Sequence, residues 1–413
     1  MAWLIAALTL LLILIRPRKI SEAVWACSGA VLLVIFRAIS PAGALAAIGR
    51  GTDVYLFLTG MMVLSELARR EGFFDWVAAG AVHFARGSRT RLFAIVYAVG
   101  ALVTIFLSND ATAVVLTPAV LAAVKKARAT PLPYLLICAL IANAASFVLP
   151  ISNPANLVVY AAAMPPLGVW LRAFALPSLV AIGVTYIVLR LATARYLTGE
   201  IEREVDRAPL SGAGKRAAWG IGGTAVVLLL ASAFDLDLGL PTFLASLAAA
   251  AVVAFEDRNA PVGILKHISW SVLPLVAGLF VLVEAVGQAG ALTLSRQLLL
   301  NAGHASPLAG SLSSAFGVGI LANLVNNLPV GLIAGSAMHG AKVSESIRNA
   351  VLIGVDLGPN LSVTGSLATI LWLVALRREG EDVSFFQFLR YGLLAMPIAL
   401  ALAITALALS AHN

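Results

Sequence analysis

The sequence predicts an all-α polytopic membrane protein made of two inverted repeats, each of five transmembrane helices, one of them discontinuous, plus one re-entrant hairpin. Three observations lead there. Of the 413 residues, 61% are hydrophobic and only 12% charged, and a mean hydropathy of +0.96 belongs to a chain whose solvent is lipid. Apolar runs too long for one crossing are interrupted by short polar breaks, twice in each half. Basic residues sit in the short loops between runs: about 22 of the 28 Lys and Arg fall at positions that alternating crossings assign to the cytoplasm. The net charge of +8 therefore records membrane topology. No solvated basic face exists for a nucleic acid.

The elements follow in order. Residues 2–15 are apolar and precede Arg16, Arg18 and Lys19. A signal peptide carries its charge ahead of the apolar region, so this reads as an anchoring helix with its N-terminus outside. Residues 21–36 return outward, and 53–68 come back in to Arg69 and Arg70. Residues 72–87 are amphipathic and are expected to lie in the interface as a connecting arm. The run 92–124 carries Ser108, Asn109 and Asp110 at its midpoint and basic residues at both ends. Each leg is about 16 residues, or roughly 24 Å of helix, short of the roughly 30 Å hydrocarbon core. A hairpin is expected, its polar tip held inside the bilayer against protein or a wet cavity. The run 134–163 is broken at 149–156, where Pro150 and Pro154 remove backbone donors and forbid a continuous helix. Broken membrane helices present half-helix ends that build substrate or ion sites. Residues 169–191 complete a first repeat, 1–194. A polar cytoplasmic linker, 195–218, carries Glu200, Glu202, Glu204 and Asp206 among its basic residues.

The second half, 219–413, repeats the first. Gly60-x-x-Val63-Leu64-x-Glu66 followed by Gly72 recurs as Gly278-x-x-Val281-Leu282-x-Glu284 followed by Gly290. The same offset carries Asn109 onto Asn327, in a second hairpin at 307–341, and a second broken helix is expected at 345–376. Five crossings are an odd number, so the second copy is inverted. Its hairpin then enters from outside, and the last helix carries the C-terminus outside.

At this point a family comes into view. Ser108-Asn109-Asp110 with Thr117-Pro118, then Asn326-Asn327-Leu328-Pro329, then Asp356-Leu357-Gly358-Pro359 with the stretch 364–373, resembles the ArsB-type arsenite/antimonite efflux permeases of the ion transporter superfamily. The resemblance covers nearly the whole chain and is most specific over 356–372. That family commonly has Lys where this chain has Asn360. The resemblance implies a protein of the bacterial inner membrane that expels arsenite or antimonite as protons enter.

Arsenite at neutral pH is mostly an uncharged trihydroxide. Cys27 and Cys138 lie in different apolar segments and cannot supply three thiolates. Nor do they, or the five scattered histidines, have metal-ligand spacing, so no metal or cofactor is expected. The breaks offer amides and hydroxyls instead: Ser108 and Asn109; Ser152, Asn153 and Asn156; Asn326 and Asn327; Ser362, Thr364 and Ser366. Asn both donates and accepts, which suits a hydroxyl-rich solute. Asp110 and Asp356 are the carboxylates placed for proton coupling, with helix capping as the competing role. Glu66 and Glu284, at repeat-equivalent positions near helix ends, read as packing or interfacial carboxylates. The partners are then the metalloid, protons and the bilayer. The chain has no Gly-x-x-x-x-Gly-Lys-Ser/Thr loop, so it is not itself an ATPase of the P-loop kind. A sodium/proton antiporter, a dicarboxylate carrier and the membrane subunit of an ATPase-driven arsenite pump stay open as alternatives.

Overall fold

A computed structural model describes the chain except residues 161–163, 203–208, 255–259, 340–342 and 411–413. Among the described residues the regular structure is helical, apart from one isolated bridge between Ser88 and Glu200. Six helices among the described residues are long and apolar enough to cross a membrane: Arg89–Phe106, Leu167–Ala192, Gly212–Ala233, Val272–Gly303, Pro307–Val325 and Phe385–Ser410. The fourth is really two helices. Its course is interrupted at Gly290, whose φ of +105° only glycine adopts freely. Gly72, at the equivalent place in the first half, stands at φ +73°, so both arms leave their preceding helix through a left-handed glycine.

Helix boundaries recur at the offset that carries Asn109 onto Asn327. Leu167–Ala192 and Phe385–Ser410 are both 26 residues long and pack along each other. The two halves interleave: Thr52–Arg70 packs on Gly239–Ala254, while Val272–Val286 packs on Glu22–Ile35. This crossing explains the glycines of the repeated motif. A Cβ on Gly60 would stand 2.8 Å from the Thr242 backbone, and one on Gly278 would stand 2.8 Å from Ala26. Asp53 adds a polar tie at one crossing, accepting from the Gly239 amide at 2.7 Å.

Some boundaries differ from the sequence reading. Pro41–Arg50 forms a helix started by Ser40, whose hydroxyl accepts from the Gly43 amide at 3.0 Å. It is short, made mostly of small residues and interrupted by Gly43 and Gly49, so it does not stand out as an apolar run. The last residues of the expected linker are already helix, because Ser211 caps Gly212–Ala233 by accepting from Gly214. Glu202 pairs with Arg128 at 3.2 Å. Glu204 and Asp206 lie outside the described residues, as do 161–163 of the first broken helix and 340–341 of the second hairpin.

The first hairpin runs down Arg89–Phe106, breaks at Leu107 and Ser108, and resumes as helix at Asn109, π-helical over Ala111–Leu116, before Thr117–Lys126. The wide turns have a local cause. Pro118 lacks the N–H that would close the helix, and the Thr117 hydroxyl donates to the Thr112 carbonyl at 3.0 Å instead. The second hairpin is Pro307–Val325 followed by Asn327–His339. The broken helices are Leu132–Ala144 with Pro154–Tyr160, and Glu345–Leu357 with Leu367–Arg378.

Candidate functional site

Four polar breaks meet in one place. Asn109 and Asp110 of the first hairpin, Asn153 of the first broken helix, Asn327 of the second hairpin and Ser366 of the second broken helix all line a single small pocket, closed on its other sides by Leu58, Val272 and Val276. Each polar residue stands at the start of a helical segment: before Ala111, before Pro154, at Asn327 and before Leu367. Helix starts carry unpaired N–H groups and partial positive charge. Some of this is used internally. Asn153 accepts from the Ala155 amide at 3.0 Å, and Ser366 accepts from the Thr369 amide at 3.1 Å.

Asn109 and Asn327 are only 3% and 2% exposed, yet the Oδ1 of each has no hydrogen-bond partner among the described residues. A buried carbonyl left unpaired costs about 1–3 kcal/mol. Two such atoms stand at repeat-equivalent positions in one pocket. The residue preceding each is held in unusual backbone geometry: Ser108 at φ +154° and Asn326 at φ +77°. Conformations of this kind cost on the order of 1–3 kcal/mol and collect at functional sites. No Lys or Arg lines the pocket.

A second layer holds the first. Asn153 donates through Nδ2 to Asp356 Oδ1 at 2.8 Å. Ser366 donates to Asn143 Oδ1 at 3.2 Å. Asn143 also donates to Asn360, which donates in turn to the Leu140 carbonyl. Asn360 is therefore fully buried with its amide committed at both ends. Asp356 is 0% exposed and keeps Oδ2 free of any partner among the described residues.

The remaining candidates sit just outside. Ser152 donates to the Ile105 carbonyl and accepts from the Leu149 amide. Asn156 spreads its Nδ2 over the carbonyls of Ser146, Leu149 and Pro150, holding the backbone that the prolines free. Asn326 accepts from the Leu328 amide, and Ser108 accepts from the Ala111 amide. Ser362 and Thr364 turn toward Asn323, which binds the Ser362 amide and hydroxyl and the Thr364 hydroxyl. The sequence reading passed over Asn143 and Asn323. Both are polar residues within apolar helices, and that cost was the available signal.

Glu66 and Glu284 are ion-paired. Arg69 grips Glu66 with Nε at 2.7 Å and a terminal nitrogen at 2.5 Å. Glu284 pairs with Arg50 of the other half and accepts from Gln288. Cys27 and Cys138 are separate free thiols, and neither lines the pocket.

Apolar crossing helices, paired breaks and a buried pocket at their meeting point define a multi-pass membrane transporter, not an enzyme. The chain belongs to the CitMHS family of citrate transporters, whose model matches residues 10–355. It is 26% identical to the arsenical pump membrane protein of Escherichia coli (strain K12), over 99% of this chain and 98% of that one. The arsenical pump membrane protein of Yersinia enterocolitica is 26% identical, over 98% and 97%. An uncharacterized transporter of Mycobacterium tuberculosis (strain ATCC 25618 / H37Rv) is 26% identical, over 95% and 94%. Among solved structures, the YdaH transporter of Alcanivorax borkumensis matches with a TM-score of 0.56 at 16% identity, covering 89% of this chain and 86% of that one. That likeness concerns the fold alone.

Proposed function

We propose that this chain exports arsenite or antimonite from the cytoplasm in exchange for protons, through two inverted repeats whose hairpins enter the membrane from opposite sides. Asn109 and Asn327 are the principal recognition residues, helped by Asn153 and Ser366. Asp110 and Asp356 are the proton-coupling carboxylates. The observation that carries this reading is the pair of unpartnered Asn carbonyl oxygens in one pocket lined by no Lys or Arg. Each oxygen can accept, and a ligand that brings donors would satisfy it. An uncharged trihydroxide brings three. Ser152, Ser362 and Thr364, and Asn156 through its Nδ2, bond to neighbouring groups and shape the breaks.

The family description supports a second reading, a carboxylate carrier. Converging helix starts favour an anion, and a co-bound cation would meet the Asn oxygens. Uptake into inside-out vesicles separates the two. Radiolabelled citrate and arsenite are offered with a proton gradient, with a sodium gradient and with ATP alone. Arsenite accumulation driven by the proton gradient, without ATP, supports the export reading. Citrate accumulation with no arsenite movement would overturn it, and a requirement for ATP would point to an ATPase partner.

A further inference from the structure

A second compartment adjoins the central pocket. It shares Leu58, Asp110, Pro154 and Val272 with the pocket, so Asp110 stands on the boundary between them. Its volume is about 80 Å³, against about 10 Å³ for the pocket by the same measure. The pocket thus has room for about one water molecule, and the compartment for several. Along the compartment lie Met62, Ser65, Glu66, Ser108 and His267. Its inner end is buried: Ser108 is 2% exposed and Ser65 8%. The His267 side chain is 62% exposed, with Nδ1 4.0 Å from Glu66 Oε1, so the compartment opens to the surface between Glu66 and His267.

The geometry points to a loading site, and we infer that the transported solute first binds in this compartment from the cytoplasm before the central pocket opens to receive it. The inference rests on the proposed function for the solute and for the side of entry. Glu66 is held by two bonds from Arg69, which leaves an acceptor group of fixed direction on the wall. The seryl hydroxyls both give and take hydrogen bonds. A small neutral solute bearing several hydroxyls matches this lining. A trianion matches it less well: the Arg69 charge is already taken up by Glu66, Asp110 faces the same space, and no Lys or Arg lines it. Direct entry to the central pocket is opposed by its volume.

The test is side-specific labelling of Ser65→Cys in a carrier bearing Cys27→Ser and Cys138→Ser. Inside-out and right-side-out vesicles are treated with a charged, impermeant methanethiosulfonate. Labelling in inside-out vesicles alone is expected, with loss of arsenite uptake once the adduct fills the compartment. Val276→Cys, which lines the central pocket, should resist under the same exposure. Met62→Cys serves as a second probe of the same wall if Ser65→Cys does not fold. Labelling from the outer side, protection of both probes from both sides, or full transport after complete labelling would each overturn the inference. If the cytoplasmic labelling holds but unmodified carrier moves no arsenite, the solute assignment falls and the entry compartment stands.

Discussion

Asn153 donates to Asp356 across the two halves at 2.8 Å, and the opposite crossing mirrors it. Ser366 donates to Asn143 at 3.2 Å. Asn143 and Asp356 are the penultimate residues of Leu132–Ala144 and Glu345–Leu357, two helices of 13 residues each. The break of each half is thus tied to the helix of the other. One tie ends in a carboxylate and the other in an amide that cannot titrate. A proton gained at Asp356 changes one crossing and leaves the other unaltered, which is an asymmetry that a proton-driven cycle can use.

Asp356→Asn is accordingly expected to fold, to keep an acceptor for Asn153, and to lose coupling. Accumulation of arsenite in inside-out vesicles should no longer follow an imposed pH gradient, while exchange of labelled for unlabelled substrate continues. Asp110→Asn should behave in the same way. If both variants accumulate substrate with the wild-type dependence on the gradient, the aspartates are structural caps.

Asn109→Ala and Asn327→Ala each remove an amide whose Oδ1 has no hydrogen-bond partner among the described residues. Folding should therefore change little. Binding should weaken by about 1–3 kcal/mol, or roughly five- to 150-fold in affinity. Calorimetric titration of purified carrier, beside a thermal melt, measures both. Unchanged affinity in both variants would move recognition elsewhere in the pocket.

Much of this architecture is legible in the sequence. The breaks at Asn109, Asn153, Asn327 and Ser366 announced themselves because polar and helix-breaking residues in an apolar run are costly and need a reason. The Gly60 and Gly278 motif betrayed the repeat, since close helix packing constrains both copies alike. Which of the ten polar candidates face the pocket was not legible. Asn153 and Asn156 are three residues apart and chemically identical. One reaches across to Asp356, and the other turns back to its own broken backbone. That choice depends on the path of the chain after Pro150 and Pro154. Asn143 and Asn323 escaped notice because each sits singly among apolar neighbours, and their partners are distant in sequence.

Cys27→Ser with Cys138→Ser should leave transport near the wild-type rate. Cys27 donates to the Pro274 carbonyl at 3.4 Å, and serine can preserve that bond. Cys138 is fully buried, so its replacement tests stability more than recognition. Abolished transport with intact folding, alongside normal Asn109→Ala and Asn327→Ala carriers, would reinstate thiolate chemistry.

Gly60→Leu and Gly278→Leu should each loosen the interleaved halves. Even a Cβ at these positions meets backbone atoms at 2.8 Å, and backbone cannot swing aside as a flexible side chain does. Overpacking of this kind costs about 1–3 kcal/mol. A lowered melting temperature in detergent is expected for both. Gly49→Leu is the control, because a Cβ there has nothing within 4 Å. Equal melting temperatures for all three would remove the packing explanation of the motif.

The inverted arrangement makes a prediction that is independent of substrate. Lys126 ends the second leg of the first hairpin, and its side is assigned to the cytoplasm because Lys125, Lys126 and Arg128 cluster there. Ala305 lies in the turn just before the second hairpin, and both residues are exposed. The hairpin tips themselves are poor reporters: Ala111 and Val330 are each 1% exposed, so a thiol there would react slowly from either side. Lys126→Cys and Ala305→Cys, each in the background lacking both native cysteines, are therefore the better pair. An impermeant maleimide should label Lys126→Cys only in inside-out vesicles and Ala305→Cys only in right-side-out ones. The positive-inside bias gives the first expectation, and the odd number of crossings in a repeat gives the second. Labelling of both from the same side would place the two hairpins in the same orientation, and the repeats would then be parallel copies.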